Sequence, residues 1–388
     1  MSSSRQSARE SLKRLRPYVA GKGFTEISRR YGLDPADIVK LGSNENPYGP
    51  SPKVFEALQN VSPERYPEPE ELMEGLARYT GSPEEMLVIG AGMDGVMDTL
   101  TRLFLEKGDR TFIPTPTFSY YEILTVLAGA EPLCSPRSPD FRVCERIFKE
   151  AKMAFICSPN NPTGNALKEE ELCRLLETTE AIVFLDEAYV EFAERSLAEL
   201  VSRYENLVVG RTLSKAFGLA GMRLGYALMP EWIAQEFCRA APPFFGISSA
   251  SVAAGAAALA DLDFMNESVR KIRMERSRLQ KEIRSYPSQA NFLYLKTEEA
   301  SDSFAEKFLQ KGIIIRDCRS FRGAGENHVR VTVGTPEEND RFLAAFMILG
   351  VLATSPLSRV PPGLWTAAAM LYIVAVLGFT GGNIFYDA

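Results

Sequence analysis

The middle of the chain repeats one pattern: a short apolar run of strand length, then a longer stretch whose apolar residues recur at helical spacing. "MLVIG" (86–90) precedes "VMDTLTRLFLEKG" (96–108), "TFIP" (111–114) precedes "YYEILTVLAG" (120–129), "MAFICS" (153–158) precedes "EEELCRLLETT" (169–179), and "AIVFLD" (181–186) follows. Strands that are apolar throughout must be covered on both faces, and successive parallel strands need a crossover to connect them. The alternation therefore predicts an α/β domain around a mainly parallel sheet. After about Gly246 the texture changes to a small-residue stretch, "SSASVAAGAAALADLDF", a charged helix, and the runs "NFLYLK", "GIIIRD" and "HVRVTVG". This reads as a second, smaller α+β domain. The expected organisation is an N-terminal arm at 1–45, a large domain at 46–246, a small domain at 247–350 and a tail at 351–388.

Charge narrows the function. The chain of 388 residues carries a formal net charge of −6, which argues against a general nucleic-acid binder because phosphate affinity comes from a surplus of Lys and Arg. Its one basic run, "VRKIRMERSRLQKEIR" (269–284), interleaves Glu with Arg and Lys and places Ile272, Leu279 and Ile283 near helical spacing, the signature of a solvated amphipathic helix. Six scattered cysteines without a CxxC pair, and a single histidine, His328, argue against a zinc site or a disulfide framework and suit a reducing compartment. The Ser- and Arg-rich start lacks an apolar core of the secretory kind; a transit peptide is the alternative.

The tail stands apart. From Val360 to Tyr386 it contains no charge, and Arg359 flanks it, so it is a candidate membrane span with the main body on the cytoplasmic side. Pro361, Pro362 and a TGGN cluster favour the alternative of a packed tail, and "GFTGGNIFYD" faintly resembles the start of a multi-pass transporter, as a fused or truncated product would.

Chemistry concentrates where strands end. "SPNNPTG" (158–164) follows the run "AFIC", Asp186 closes "AIVFL", and "GRTLSKAFGLAGMRLGYAL" (210–228) sets Lys215 and Arg223 between two apolar runs. In open α/β sheets ligands sit at the carboxyl ends of the strands, so Asn161, Asp186 and Lys215 are expected around one crevice. A GxGxxG at Gly90, Gly92 and Gly95 also lies between a strand and a helix, but the acidic residue that a dinucleotide's ribose needs about 20 positions later is missing: "TFIP" offers only Pro114 and Thr115. What survives is an anion cradle at a helix N-terminus, to which Thr212, Ser214 and Arg223 add donors. A phosphate cradle, a reactive amine, a carboxylate and an aromatic together suit pyridoxal phosphate, whose ring nitrogen needs the carboxylate if it is to act as an electron sink.

These motifs, with "SNENPYGPSP", "RYPEP", "PTPTFSYY", "LDEAYVEF", "SQANF", "GIIIRD" and "VRVTVGTPEEN", occur in an order that resembles the class I/II aminotransferases of the fold-type-I pyridoxal-phosphate enzymes, over about Pro17 to Leu349. The resemblance implies a large domain with a mainly parallel seven-stranded sheet and a smaller α+β domain. It implies that Lys215 binds the cofactor covalently and acts as acid and base, that Asp186 pairs with the ring nitrogen, that Tyr189 and Asn161 hydrogen-bond the phenolic oxygen, and that Phe118 stacks on the ring. Thr212, Ser214, Arg223 and the backbone at Gly92, Met93 and Asp94 would hold the phosphate, with Tyr66 reaching it from the second copy of a homodimer.

Arg330 would bind the substrate carboxylate and Arg316 a second anion, with Tyr18 and Asn44 near the far end of the substrate. Arg316 favours a phosphorylated amine as donor, and two such arginines fit the transamination that the resemblance implies, with 2-oxoglutarate as acceptor, giving glutamate. A decarboxylase of a phosphorylated amino acid and an aminotransferase for aromatic or other amino acids share these motifs. A membrane-tethered binding protein that keeps the fold without turnover is a third alternative. The chain departs from the family pattern at Gly95, where Glu is common, and at Phe118, where Tyr is frequent.

Overall fold

The computed structural model describes residues 12, 13, 15, 17–143 and 148–354. By packing, the chain divides into Met1–Thr335 and Pro336–Ala388. The second unit contributes one described helix, Pro336–Thr354, and the apolar segment at 360–386 lies outside the described residues. Among the described residues no helix is long and apolar enough to cross a membrane.

Seven strands form the main sheet of the first unit: β1 (Leu87–Ala91), β2 (Arg110–Thr115), β3 (Glu131–Pro136), β4 (Met153–Cys157), β5 (Ile182–Asp186), β6 (Leu207–Thr212) and β7 (Leu224–Leu228). Their order across the sheet is β1-β7-β6-β5-β4-β2-β3, and β7 alone runs against its neighbours. Every residue of β4, β5, β6 and β7 is buried, as a sheet covered on both faces requires. The register aligns Cys157 with Asp186 and Asp186 with Gly210, so β4 and β5 stop together while β6 runs two residues further, to Thr212, along the same edge. The helix after β1, α1 (Gly92–Phe104), starts at the same edge, and α2 (Tyr120–Leu127) follows β2.

A smaller antiparallel sheet joins β8 (Phe292–Lys296), β9 (Arg316–Asp317) and β10 (His328–Thr332) in the order β9-β10-β8. The basic run forms part of the helix Leu262–Glu282, which buries Val269, Ile272 and Leu279. Ile283 is buried too, but just beyond the helix, in extended backbone. Exposed Arg270–Glu267 and half-buried Arg278–Glu275 pairs occupy one turn each of the helix.

An ion pair holds β5 and β6 together one residue out of phase with the cleft. Glu187, next after Asp186, accepts at Oε2 from Arg211 Nε (3.0 Å) and Nη2 (2.9 Å), and at Oε1 from the backbone N–H of Leu197 (2.7 Å). Both side chains are buried, so each charge depends on the other. Replacing Arg211 with Met should strand the Glu187 carboxylate and lower unfolding free energy by roughly 3–5 kcal/mol, the usual cost of leaving one buried charge unpaired. Urea denaturation of the cofactor-free protein followed by far-UV circular dichroism measures this; a loss below about 1 kcal/mol would contradict it.

Candidate active site

A cleft opens along the aligned strand ends. Lys215, Asp186, Tyr189, Asn161, Phe118, Met93, Asp94, Thr212, Ser214, Arg223, Arg330, Arg316, Asn44 and Tyr18 all line it, together with Ser43, Cys157 and Phe321, which sequence reasoning did not single out. Gly92 and Tyr66 do not line it. Tyr66 is 76% exposed and stacks on Phe244, their centroids 4.5 Å apart and planes 8° apart.

Asp186 sits at the floor, its carboxylate fixed at both ends: Oδ1 accepts from Ala188 N–H at 2.9 Å, and Oδ2 accepts from the hydroxyl of Tyr121. Burial raises its pKa to about 6 against the lowering effect of these donors. Tyr121 belongs to the quoted "PTPTFSYY" segment, but nothing local reveals that its hydroxyl meets a residue 65 positions away. Lys215 stands above, its Nζ donating to Ser43 O at 3.2 Å and lying 5.8 Å from the centre of the Tyr189 ring. Burial, then the positive charge of Arg330, lowers the lysine pKa to about 8. Tyr189 Oη accepts from Asn44 Nδ2 at 3.0 Å, and Asn44 itself adopts a positive φ of 55° that its bonds to Thr332 and Asn291 hold in place. Burial raises the Tyr189 phenol well above its usual range.

The anion cradle lies where β7 begins. Arg223 has left-handed backbone (φ 49°), its carbonyl accepts from Gly92 N–H at 2.7 Å, and its Nη2 donates to Asp94 Oδ2 at 2.8 Å. Gly92 therefore contributes space and a turn, not a donor: its φ is +72°, and a Cβ there would lie 2.7 Å from Arg223 Nη2. Gly225 is equally constrained, since a Cβ on it would stand 2.2 Å from the Met93 nitrogen. The close approach brings the first N–H groups of α1, which have no partners within the helix, to the cleft beside Thr212 and Ser214, whose hydroxyls are 2.9 Å apart.

The two arginines come from the small sheet, where Arg316 and Arg330 are direct cross-strand partners. Arg330 is buried and donates to Asn161 Oδ1 (2.5 Å) and Gly42 O (2.7 Å), while its Nε has no partner among the described residues. Arg316 is buried as well, donating to Val19 O at 2.6 Å and Ser320 Oγ at 3.2 Å.

Residues 36–346 match the family described as aminotransferase class I and II. The chain belongs to this family. It is 48% identical over 359 residues to the histidinol-phosphate aminotransferase of Methanosarcina mazei, covering 88% of this chain and 97% of that protein. It is 49% identical over 342 residues to the enzyme of the same name from Methanosarcina barkeri, covering 85% and 93%. In structure it resembles histidinol-phosphate aminotransferase from Sinorhizobium meliloti in complex with pyridoxal 5'-phosphate, with a TM-score of 0.75, 26% identity and coverage of 88% of this chain and 97% of that one.

A class I and II aminotransferase depends on pyridoxal phosphate, and the cleft of this aminotransferase fits that cofactor. It offers a buried carboxylate for a cationic ring nitrogen, an aromatic face in Phe118, a cradle of N–H and hydroxyl donors for a phosphate, and an amine within the same space.

The lowered lysine pKa has a measurable consequence, because only a neutral amine attacks an aldehyde. The cofactor-free aminotransferase should capture pyridoxal phosphate at a rate that rises with pH and reaches half its plateau near pH 8, where an ordinary lysine would still be almost wholly charged. Arg330→Gln removes a repelling cation and should move that midpoint upward. Stopped-flow absorbance across pH 6–10 measures both; a midpoint at or above that of free lysine, or a downward move in the variant, would contradict the assignment.

Proposed function

We propose that this chain is a histidinol-phosphate:2-oxoglutarate aminotransferase acting in histidine biosynthesis. The observation that carries the reading is the pair of facing arginines, Arg316 and Arg330, at one cleft. The donor offers a phosphate monoester and the acceptor two carboxylates, and a guanidinium accepts either anion through paired N–H donors. The Nε of buried Arg330, without a partner among the described residues, is a donor free for a substrate oxygen, and the identities to the two Methanosarcina proteins support the same amino donor.

In this reading each residue has one task. Pyridoxal phosphate, when bound, withdraws electrons from the substrate carbon that loses a proton. Lys215 Nζ would take that proton and deliver it to the carbon on the cofactor side of the substrate nitrogen, so that the nitrogen stays with the cofactor, a task suited to an amine with a pKa lowered to about 8. Asp186 holds the ring nitrogen protonated, Asn161 and Tyr189 bond the phenolic oxygen, and Phe118 covers one face of the ring. Thr212, Ser214, Arg223 and the N–H groups at Met93 and Asp94 hold the phosphate. Asn44 orients Tyr189, and Tyr18, edge-on to Phe118 with centroids 5.9 Å apart, closes the outer side. The exposed Tyr66–Phe244 stack fits a homodimer in which Tyr66 of one copy reaches the phosphate in the other.

A panel of amino donors with 2-oxoglutarate tests the proposal. Histidinol phosphate should give glutamate with kcat/KM at least a hundredfold above histidinol, phenylalanine or aspartate, and Arg316→Leu should remove most of that preference while sparing cofactor binding. Release of carbon dioxide from threonine phosphate, with no glutamate from histidinol phosphate, would replace the reading with a decarboxylase. Lys215→Ala should lose all turnover and retain its fold.

A further inference from the structure

We infer that Tyr121 is a positioning residue for the cofactor: its hydroxyl, with the N–H of Ala188, fixes the plane of the Asp186 carboxylate so that the free lone pairs meet the ring nitrogen. The inference rests on the reading that places that nitrogen against Asp186. Tyr121 is fully buried in α2, with its ring parallel to Phe155 of β4 (centroids 4.8 Å apart, planes 3° apart) and edge-on to Phe118 at 5.6 Å. A phenylalanine would fill that slot equally well. The added hydroxyl is a buried polar group that needs a partner, and it donates to Asp186 Oδ2.

With Oδ1 held by Ala188 N–H, the carboxylate has a donor on each oxygen and cannot rotate without breaking one of them. Two donors also favour the charged carboxylate in a site where burial works against it. A charged, pre-aimed carboxylate binds a pyridinium more tightly than a rotating or neutral one. Phe118 touches the same tyrosine, so the group that covers the ring face and the group that aims the ring's counter-charge share one support.

The test is cofactor affinity of the cofactor-free protein, read by quenching of intrinsic fluorescence, with pyridoxal phosphate and with its 1-deaza analogue, which has carbon in place of the ring nitrogen. Tyr121→Phe should weaken pyridoxal phosphate about tenfold, the scale of one charge-assisted hydrogen bond, and the analogue less than about twofold. In an Asp186→Asn background Tyr121→Phe should add less than about twofold, because the carboxylate it aims is gone. Equal weakening of both ligands, full additivity with Asp186→Asn, or no weakening in the single variant overturns the inference. If Asp186→Asn itself leaves pyridoxal phosphate affinity unchanged, the site reading fails instead. A thermal melt of Tyr121→Phe within about 2 °C of the parent shows that packing is preserved; a larger drop with equal loss for both ligands assigns the hydroxyl to stability alone and also overturns the inference.

Discussion

A carboxylate removed from water at the end of a central strand is the constraint around which this cleft is organised. Asp186 is 2% exposed, and its burial would favour the neutral acid if nothing opposed it. The opposition comes from three directions: the Ala188 N–H of its own turn, the Tyr121 hydroxyl from α2, and the positive charge of Lys215. Those partners converge because β5 and β6 are parallel neighbours whose carboxyl ends lie at one edge of the sheet, an arrangement that depends on the uninterrupted apolar strands that bury the sheet on both faces. The Glu187–Arg211 pair, one residue away on each strand, ties the same two strand ends together.

The sheet and most of the cleft are legible in the sequence because they are written locally. A strand is a short apolar run, a crossover helix is a 3.6-residue pattern, and the chemical groups sit in the few residues after each run, so Asn161, Asp186 and Lys215 declare themselves by position alone. The single antiparallel strand β7 is not legible in that way, since an apolar run has no direction. Nor are the contacts that join distant segments: the Tyr121–Asp186 bond spans 65 residues and the Lys215–Ser43 bond 172. Gly92 illustrates a different limit. Its motif suggests a phosphate donor, but its N–H is turned toward the Arg223 carbonyl, and the glycine is required for the room it leaves.

The arginines show how a fold can hold like charges side by side. Arg316 and Arg330 face each other across two short antiparallel strands, an arrangement that costs energy when both cations are buried. Backbone carbonyls of Val19 and Gly42 and the amide oxygen of Asn161 absorb part of that charge. The remainder is an unsatisfied positive potential that draws anions into a chain whose net charge is −6.

Arg223 sits at the mouth of the phosphate cradle with its guanidinium already engaged by Asp94 and its carbonyl by Gly92. Under the proposed reading, an arriving phosphate would meet a turn that is folded beforehand and a cation held within reach by a half-exposed carboxylate that water can solvate once it is displaced. The entropy of ordering that loop is spent during folding and is not subtracted from affinity. If Arg223 exchanged that carboxylate for another anion, one anionic partner would replace another and the strands beneath would keep their arrangement.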